Sequence, residues 1–296
     1  MNHDQKIRII HDGICHLGEG PVWNVFLQKL FWTDIFNRRL WMYDSSIKIT
    51  SLFWEGSFKI GGFAFTKNDD IVACTDRGVY LLRKSCLDNP ELLFEIPFRR
   101  NEMFNDITVD PAGRIFAGTL DRDGDGGVLY RLEKGKAPAV ILENIKCSNG
   151  MAFSSDNNYF YHTDSLQFSI LRYSYDKKTG DIGKSEIFYK GDEARGMPDG
   201  MTIDSEDHIW SAFWGSNTVK RFNPAGDIVK EVRFPAKQVS SVMFGGKALK
   251  ELFVTSSSQG AVDLKRGYNK EGIFLGGYTY TFAADVTGLE ERLADF

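Results

Sequence analysis

Short runs in which apolar and aromatic residues alternate with polar ones recur along this chain. Lys29–Asp34, Ile71–Cys74, Gly78–Leu82, Arg114–Gly118, Val128–Leu132, Tyr159–Thr163, His208–Ala212 and Glu251–Thr255 are each bounded by Gly, Asp, Asn, Ser or Lys. A period of two sends successive side chains to opposite faces, so each run reads as a strand. Their spacing of roughly ten residues is that of an antiparallel all-β protein. Sustained helical periodicity is absent, and only Leu289–Ala294 reads as a short helix.

The strands belong to a longer repeat. Glu19–Trp23, Gly61–Phe65, Asn105–Val109, Asn149–Phe153, Asp199–Ile203 and Ser240–Phe244 fit one frame, with first residues separated by 42, 44, 44, 50 and 41 positions. After each frame comes a turn, often with Asp and Gly, then an aromatic-rich strand. A period of about 40 to 50 residues with four strands per unit is that of a β-propeller. Six units account for the chain, predicting a six-bladed propeller in one domain spanning 1–296. Lys6–Ile10 precedes the first unit and is expected to close the ring against the last.

Composition agrees. The 296 residues include 23 Phe, 11 Tyr, 6 Trp and 29 Gly but only 8 Pro, which favours strands joined by tight turns. A net charge of −4 without long runs of one sign argues against a nucleic-acid groove or a basic membrane anchor. No apolar stretch is long enough to span a membrane, and the start lacks the form of a secretion signal. Cys15, Cys74, Cys86 and Cys147 are scattered, which reads as reduced thiols in a cytoplasmic protein. The oligomeric state is left open, a monomer being compatible.

In a propeller the innermost strand of every blade lines the central channel, so equivalent positions face one another. The first position of the repeat reads Glu19, Gly61, Asn105, Asn149, Asp199, Ser240. Two carboxylates and two carboxamides directed at one axis are costly to bury, because like charges repel and carboxylates lose water. A divalent cation reverses that cost. Hard oxygen donors suit Ca²⁺, Mg²⁺ or Mn²⁺, with Zn²⁺ and Fe²⁺ open; a water-filled polar channel is the alternative.

These same residues sit in longer motifs. Leu17–Trp23, Phe104–Thr119, Ser148–Ser154, Tyr161–Ser165, Pro198–Asp204 and Ser240–Gly246 together resemble the gluconolactonase/regucalcin (SMP-30) family of sugar lactonases, collinearly from about residue 15 to 260. The resemblance implies a six-bladed propeller with one divalent cation, Ca²⁺ foremost, held by Glu19, Asn149 and Asp199. It makes Asp199 the catalytic base as well as a ligand, and places Asn105 beside metal and substrate. The implied activity is hydrolysis of an aldonolactone to the aldonic acid, with the cation as Lewis acid. Acidification of the attacking water by the cation stays open as an alternative to the Asp199 base. So do a promiscuous esterase or phosphotriesterase and a non-catalytic calcium-binding propeller.

Two positions depart from the family pattern. Relatives often carry Arg two residues before the asparagine at 105, where it holds substrate hydroxyls; this chain has Met103, with Arg99 or Arg100 as the nearby substitute. An acidic residue after Gly-Thr contacts substrate in some relatives, and Asp123 is its counterpart here.

Other motifs read as structure. Asp121–Gly126 imitates a calcium loop, but its twelfth position is Leu132 and no helices flank it. His162, Asp164 and Ser165 are the letters of a triad without a nucleophile elbow, and His162 reads as a core histidine. Trp23, Trp32 and Trp210 read as blade core, while Trp214 is placed to reach the channel mouth.

Overall fold

The alternation seen in the sequence resolves into strands throughout. In the computed structural model, which describes residues 6–121 and 126–296, the strands form six four-stranded antiparallel sheets. Five of them are built from consecutive strands, within residues 18–55, 60–94, 102–145, 148–190 and 197–233. The sixth combines Val239–Gly245, Glu251–Ser256 and Thr279–Ala283 with Arg8–His11 from the other end of the chain. Arg8 pairs with Thr281 and Ile9 with Tyr280, so the closing strand is there, shifted slightly from the expected Lys6–Ile10. With blades numbered in chain order, these are blades 1 to 6, and the architecture is a six-bladed β-propeller.

Packing follows from the aromatic strands. Separate buried apolar clusters fill the gaps between neighbouring blades; Trp23, Leu30 and Trp32 of blade 1, for example, meet Met243 and Phe253 of blade 6. Each sheet therefore buries its apolar faces against the next sheet, leaving the axis to the inner strands. Those strands are Gly18–Asn24, Ile60–Phe65, Glu102–Val109, Ser148–Phe153, Met197–Ile203 and Val239–Gly245, and each packs on the next around the ring.

Every inner strand breaks register with its neighbour at the first positions of the repeat: between Glu19 and Val22, Ile60 and Gly62, Phe104 and Ile107, Asn149 and Met151, Pro198 and Met201, and Val239 and Val242. A bulge leaves residues out of the ladder and re-aims their side chains. The ring is tight at that level. A methyl group on Gly150 would lie 2.4 Å from the Asp199 carbonyl oxygen, and one on Gly200 only 2.0 Å from Ser241 Oγ. Glycine after Asn149 and Asp199 is thus a packing requirement of the ring.

The expected helix at Leu289–Ala294 does not form. This segment runs extended across the far end of the channel, opposite the end that bears the bulges. Leu289 N donates to Ile203 O, Ala294 N to Phe65 O (2.8 Å) and Asp295 N to Gly113 O (2.9 Å), spending the amides on blades 5, 2 and 3. Leu289 and Leu293, spaced as on a helix, instead enter two different inter-blade cores. Tertiary partners outcompete the i→i−4 ladder that so short a helix would form alone.

Candidate functional site

The bulges bring Glu19, Asn105, Asn149 and Asp199 to the axis from blades 1, 3, 4 and 5. Glu19, Asn149 and Asp199 are buried, at 7%, 6% and 4% exposure. Asn149 Oδ1 and Asp199 Oδ1 have no hydrogen-bond partner among the described residues. A buried oxygen without a partner calls for a water or an ion, and these two stand beside carboxylates. Among the described residues Glu19 accepts a single hydrogen bond, from the Gly20 amide at 3.2 Å. Burial drives the Glu19 carboxyl well above its usual range, with Asp199 and then Asp106 adding repulsion. The same holds for Asp199, through burial and then Asp106. Asp106 is pushed to about 7, by burial and, more weakly, Glu291. A set of hard oxygens, with two unpaired and with repelling carboxylates, fits a divalent cation such as Ca²⁺.

Both carboxamides are oriented by their neighbours. Asn105 Nδ2 donates to the Ser148 carbonyl at 2.8 Å. Asn149 Nδ2 donates to Ser165 Oγ at 3.1 Å, while the Ser165 hydroxyl donates to Pro198 O at 2.7 Å, next to Asp199. Because the Ser165 proton is committed to Pro198, its oxygen can only accept from position 149. That requires an amide there and turns Oδ1 of Asn149 to the axis. Such supporting bonds fix ligand orientation. Ser165→Ala is expected to weaken cation affinity about tenfold or more and, by leaving Asn149 Nδ2 and Pro198 O without this partner, to lower the apo melting temperature by a few degrees; titration against a fluorescent chelator measures the first, a thermal melt the second.

The substrate-side positions are dispersed. Met103 is 6% exposed and packs with Leu17 and Ile35, joined by Phe36 and Trp214. Trp214 thus does stand in the apolar cluster near the mouth. Arg100 sits in an exposed turn before the inner strand of blade 3 and has no polar partner among the described residues. Arg99 is held elsewhere: its guanidinium lies 3.5 Å from Asp121 and 3.6 Å from Glu102, and donates to Gly126 O. Asp123 lies outside the described residues.

His162, Asp164 and the acidic cluster around Asp204 have partners of their own. His162 Nε2 lies 2.8 Å from Ser148 Oγ, and burial lowers the imidazole to about 4, so it is neutral at pH 7. Asp164 accepts from the Lys146 and Cys147 amides, fastening the entry to the blade 4 inner strand. Asp204, Glu206 and His208 form another three-ligand cluster. There Arg221 already occupies the cation's place, 2.8 Å from Asp204 and 2.7 Å from Glu206, and Trp210 Nε1 donates to the same Asp204 oxygen. Sequence reasoning passed over Asp106 and took Ser165 only as a letter of a triad. Asp106 was legible, as one of two residues, with Ser241, that replace the repeat's glycine; the role of Ser165 was not, because its partners come from other strands.

No described helix is long and apolar enough to cross a membrane. Comparison with known proteins agrees with the geometry. A 36% identical relative is the pentonolactonase XacC of Haloferax volcanii, aligned over 247 residues and 83% of each chain. Human regucalcin is 30% identical over 273 residues, covering 86% of this chain and 88% of its own. The crystal structure of a regucalcin from Agrobacterium tumefaciens, described as a calcium-binding protein, superposes with a TM-score of 0.91 at 25% identity, over 99% of this chain and 98% of that one. Residues 17–258 match the model of the SMP-30/gluconolactonase/LRE-like region, and with relatives of this closeness the chain belongs to that family.

Proposed function

We propose that this protein, acting as a single domain, hydrolyses a sugar lactone to its aldonic acid at a divalent cation held by Glu19, Asn149 and Asp199. It is a lactonase: relatives named pentonolactonase and 6-deoxy-6-sulfogluconolactonase match more than four-fifths of the chain, at 36% and 34% identity. The observation that carries the metal is the pair of buried, unpartnered oxygens Asn149 Oδ1 and Asp199 Oδ1 beside the Glu19 carboxylate.

When bound, the cation supplies Lewis acidity that polarises the lactone carbonyl and offsets the charge developing on its oxygen. The chain's own residues do the rest. Asp199 takes the proton of the attacking water as its oxygen adds to the carbonyl carbon. The ring C–O bond then breaks, and the same carboxyl returns the proton to the leaving oxygen. Without the cation, burial and Asp106 raise the Asp199 carboxyl above the ordinary aspartate range; a cation beside it favours the ionised form, which is the form that accepts the proton. Asn105, its amide tied to Ser148, positions water or substrate. Met103 and Arg100 are assigned to the substrate side.

A pH-indicator screen of hexono- and pentonolactones tests this, using metal-stripped protein with Ca²⁺, Mg²⁺, Mn²⁺, Zn²⁺ or Fe²⁺ restored singly. Cation-dependent turnover of at least one lactone is expected. Tight cation binding without turnover of any lactone would leave a calcium-binding propeller, a reading favoured by the likeness to the bacterial regucalcin. Turnover only of simple esters or phosphotriesters would redirect the substrate.

A further inference from the structure

The layer above the cation ligands shows a second ring. The residue two before each first position stands where the chain enters its inner strand, at the bulge-bearing end of the ring nearest the mouth. In blade order these are Leu17, Lys59, Met103, Cys147, Met197 and Gln238. Three are fastened alike: the amides of Leu17, Lys59 and Cys147 donate to Asp34, Asp76 and Asp164, at 3.1, 3.0 and 3.0 Å. Each of these aspartates follows or ends the second strand of its own blade, which marks the three residues as structurally equivalent. Leu17 and Met103 meet in one apolar cluster with Trp214, spanning blades 1, 3 and 5.

The ring is chemically lopsided. Blades 3, 4 and 5 contribute Met103, Cys147 and Met197, an apolar arc extended by Trp214. Blades 2 and 6 contribute Lys59 and Gln238, on either side of Leu17. The Lys59 ammonium lies 5.5 Å from the centre of the Phe36 ring, within the mouth cluster, and has no carboxylate within ion-pair distance among the described residues. Gln238 Oε1 is buried and without a hydrogen-bond partner among the described residues. Arg99, by contrast, is engaged with Glu102 and Asp121.

Resting on the lactonase reading, we infer that Lys59 is the specificity residue that holds the hydroxylated edge of the lactone, while the Met103–Cys147–Met197 arc faces a side poor in hydroxyls. The substrate class is then a deoxy-aldonolactone rather than a fully hydroxylated one. A charged donor discriminates strongly for substrate oxygens, whereas thioether and thiol surfaces do not reward them.

The test compares a hexonolactone, its deoxy analogues and unsubstituted δ-valerolactone in wild type, Lys59→Met and Lys59→Arg, with melting curves to confirm folding. Lys59→Met is expected to raise KM for the hydroxylated lactones and to shift the kcat/KM ratio about tenfold or more toward δ-valerolactone. Lys59→Arg should restore most of that ratio. Binding of the matching non-hydrolysable lactams is measured in parallel. Absence of turnover in wild type would sink the lactonase reading alone, since lactam binding still reports on residue 59. Lactam affinities and kcat/KM ratios indifferent to residue 59 would overturn the role of Lys59. Wild-type preference for the fully hydroxylated lactone over every deoxy analogue would overturn the apolar arc.

Discussion

Asp199→Asn lowers kcat for the lactone by roughly 10²-fold or more, the usual scale for losing a general base, while cation binding survives in weakened form. The substitution keeps an oxygen at the position of Oδ1 but removes the proton acceptor. It also removes one of the buried carboxylates that repel one another at the axis. The variant therefore folds, and its apo form is expected to be no less stable than wild type. Single-turnover kinetics on cation-saturated protein, beside a chelator titration, separate the two roles. Near-normal turnover with the cation bound would transfer the base to another group.

The second large effect concerns pH. Glu19, Asp106 and Asp199 face one another around the axis, with Glu291 and Arg292 of the closing tail lining the cavity below Asp106 and Cys147 near the upper rim. Their carboxyls titrate higher in the folded chain than in the unfolded one; Asp106 moves to about 7 and the other two rise in the same direction. Between the ordinary carboxylate range and those raised values, the folded state holds more protons than the unfolded state. Stability without the cation must therefore fall as pH rises from about 4 toward 7 and beyond. A cation bound only by the folded state removes the penalty, and its contribution grows with pH as protons leave.

Melting temperature measured from pH 5 to 8 should thus decline by several degrees in EDTA and stay nearly level in saturating Ca²⁺, given that ~1 kcal/mol moves the midpoint of a protein this size by a few degrees. Alanine at Glu19, Asn149 or Asp199 should abolish the Ca²⁺-dependent gain. Glu19→Ala and Asp199→Ala should also flatten the decline in EDTA, whereas Asn149→Ala should not, because it removes no charge. A cation-induced rise that persists in all three variants would refute the axial site.

Much of this was written locally. Period-two alternation and turn residues determine the strands one hairpin at a time, and the repeat of about 40 to 50 residues determines that identical units must stack until they close. Once the units are aligned, equivalence alone gathers Glu19, Asn105, Asn149 and Asp199, because symmetry carries them to one axis whatever the distance along the chain.

The rest needed the folded molecule, since it depends on contacts between units. The same leucine spacing at 289 and 293 that suggests a helix serves two separate cores, and nothing local distinguishes the cases. Ser165 acquires its role only when blade 5 delivers Pro198 O beside blade 4. Arg99 and Arg100 both stood as substitutes for a missing arginine, Arg100 foremost; the fold engages Arg99 with Glu102 and Asp121 and leaves Arg100 in an exposed turn. Lys59 stood unremarked in the chain, because a lone lysine before a strand carries no signal of its own. Closure of the ring sets it over the Phe36 ring, without a carboxylate partner among the described residues. Sequence determined which groups converge; the packing of one blade on the next decided which way each of them points.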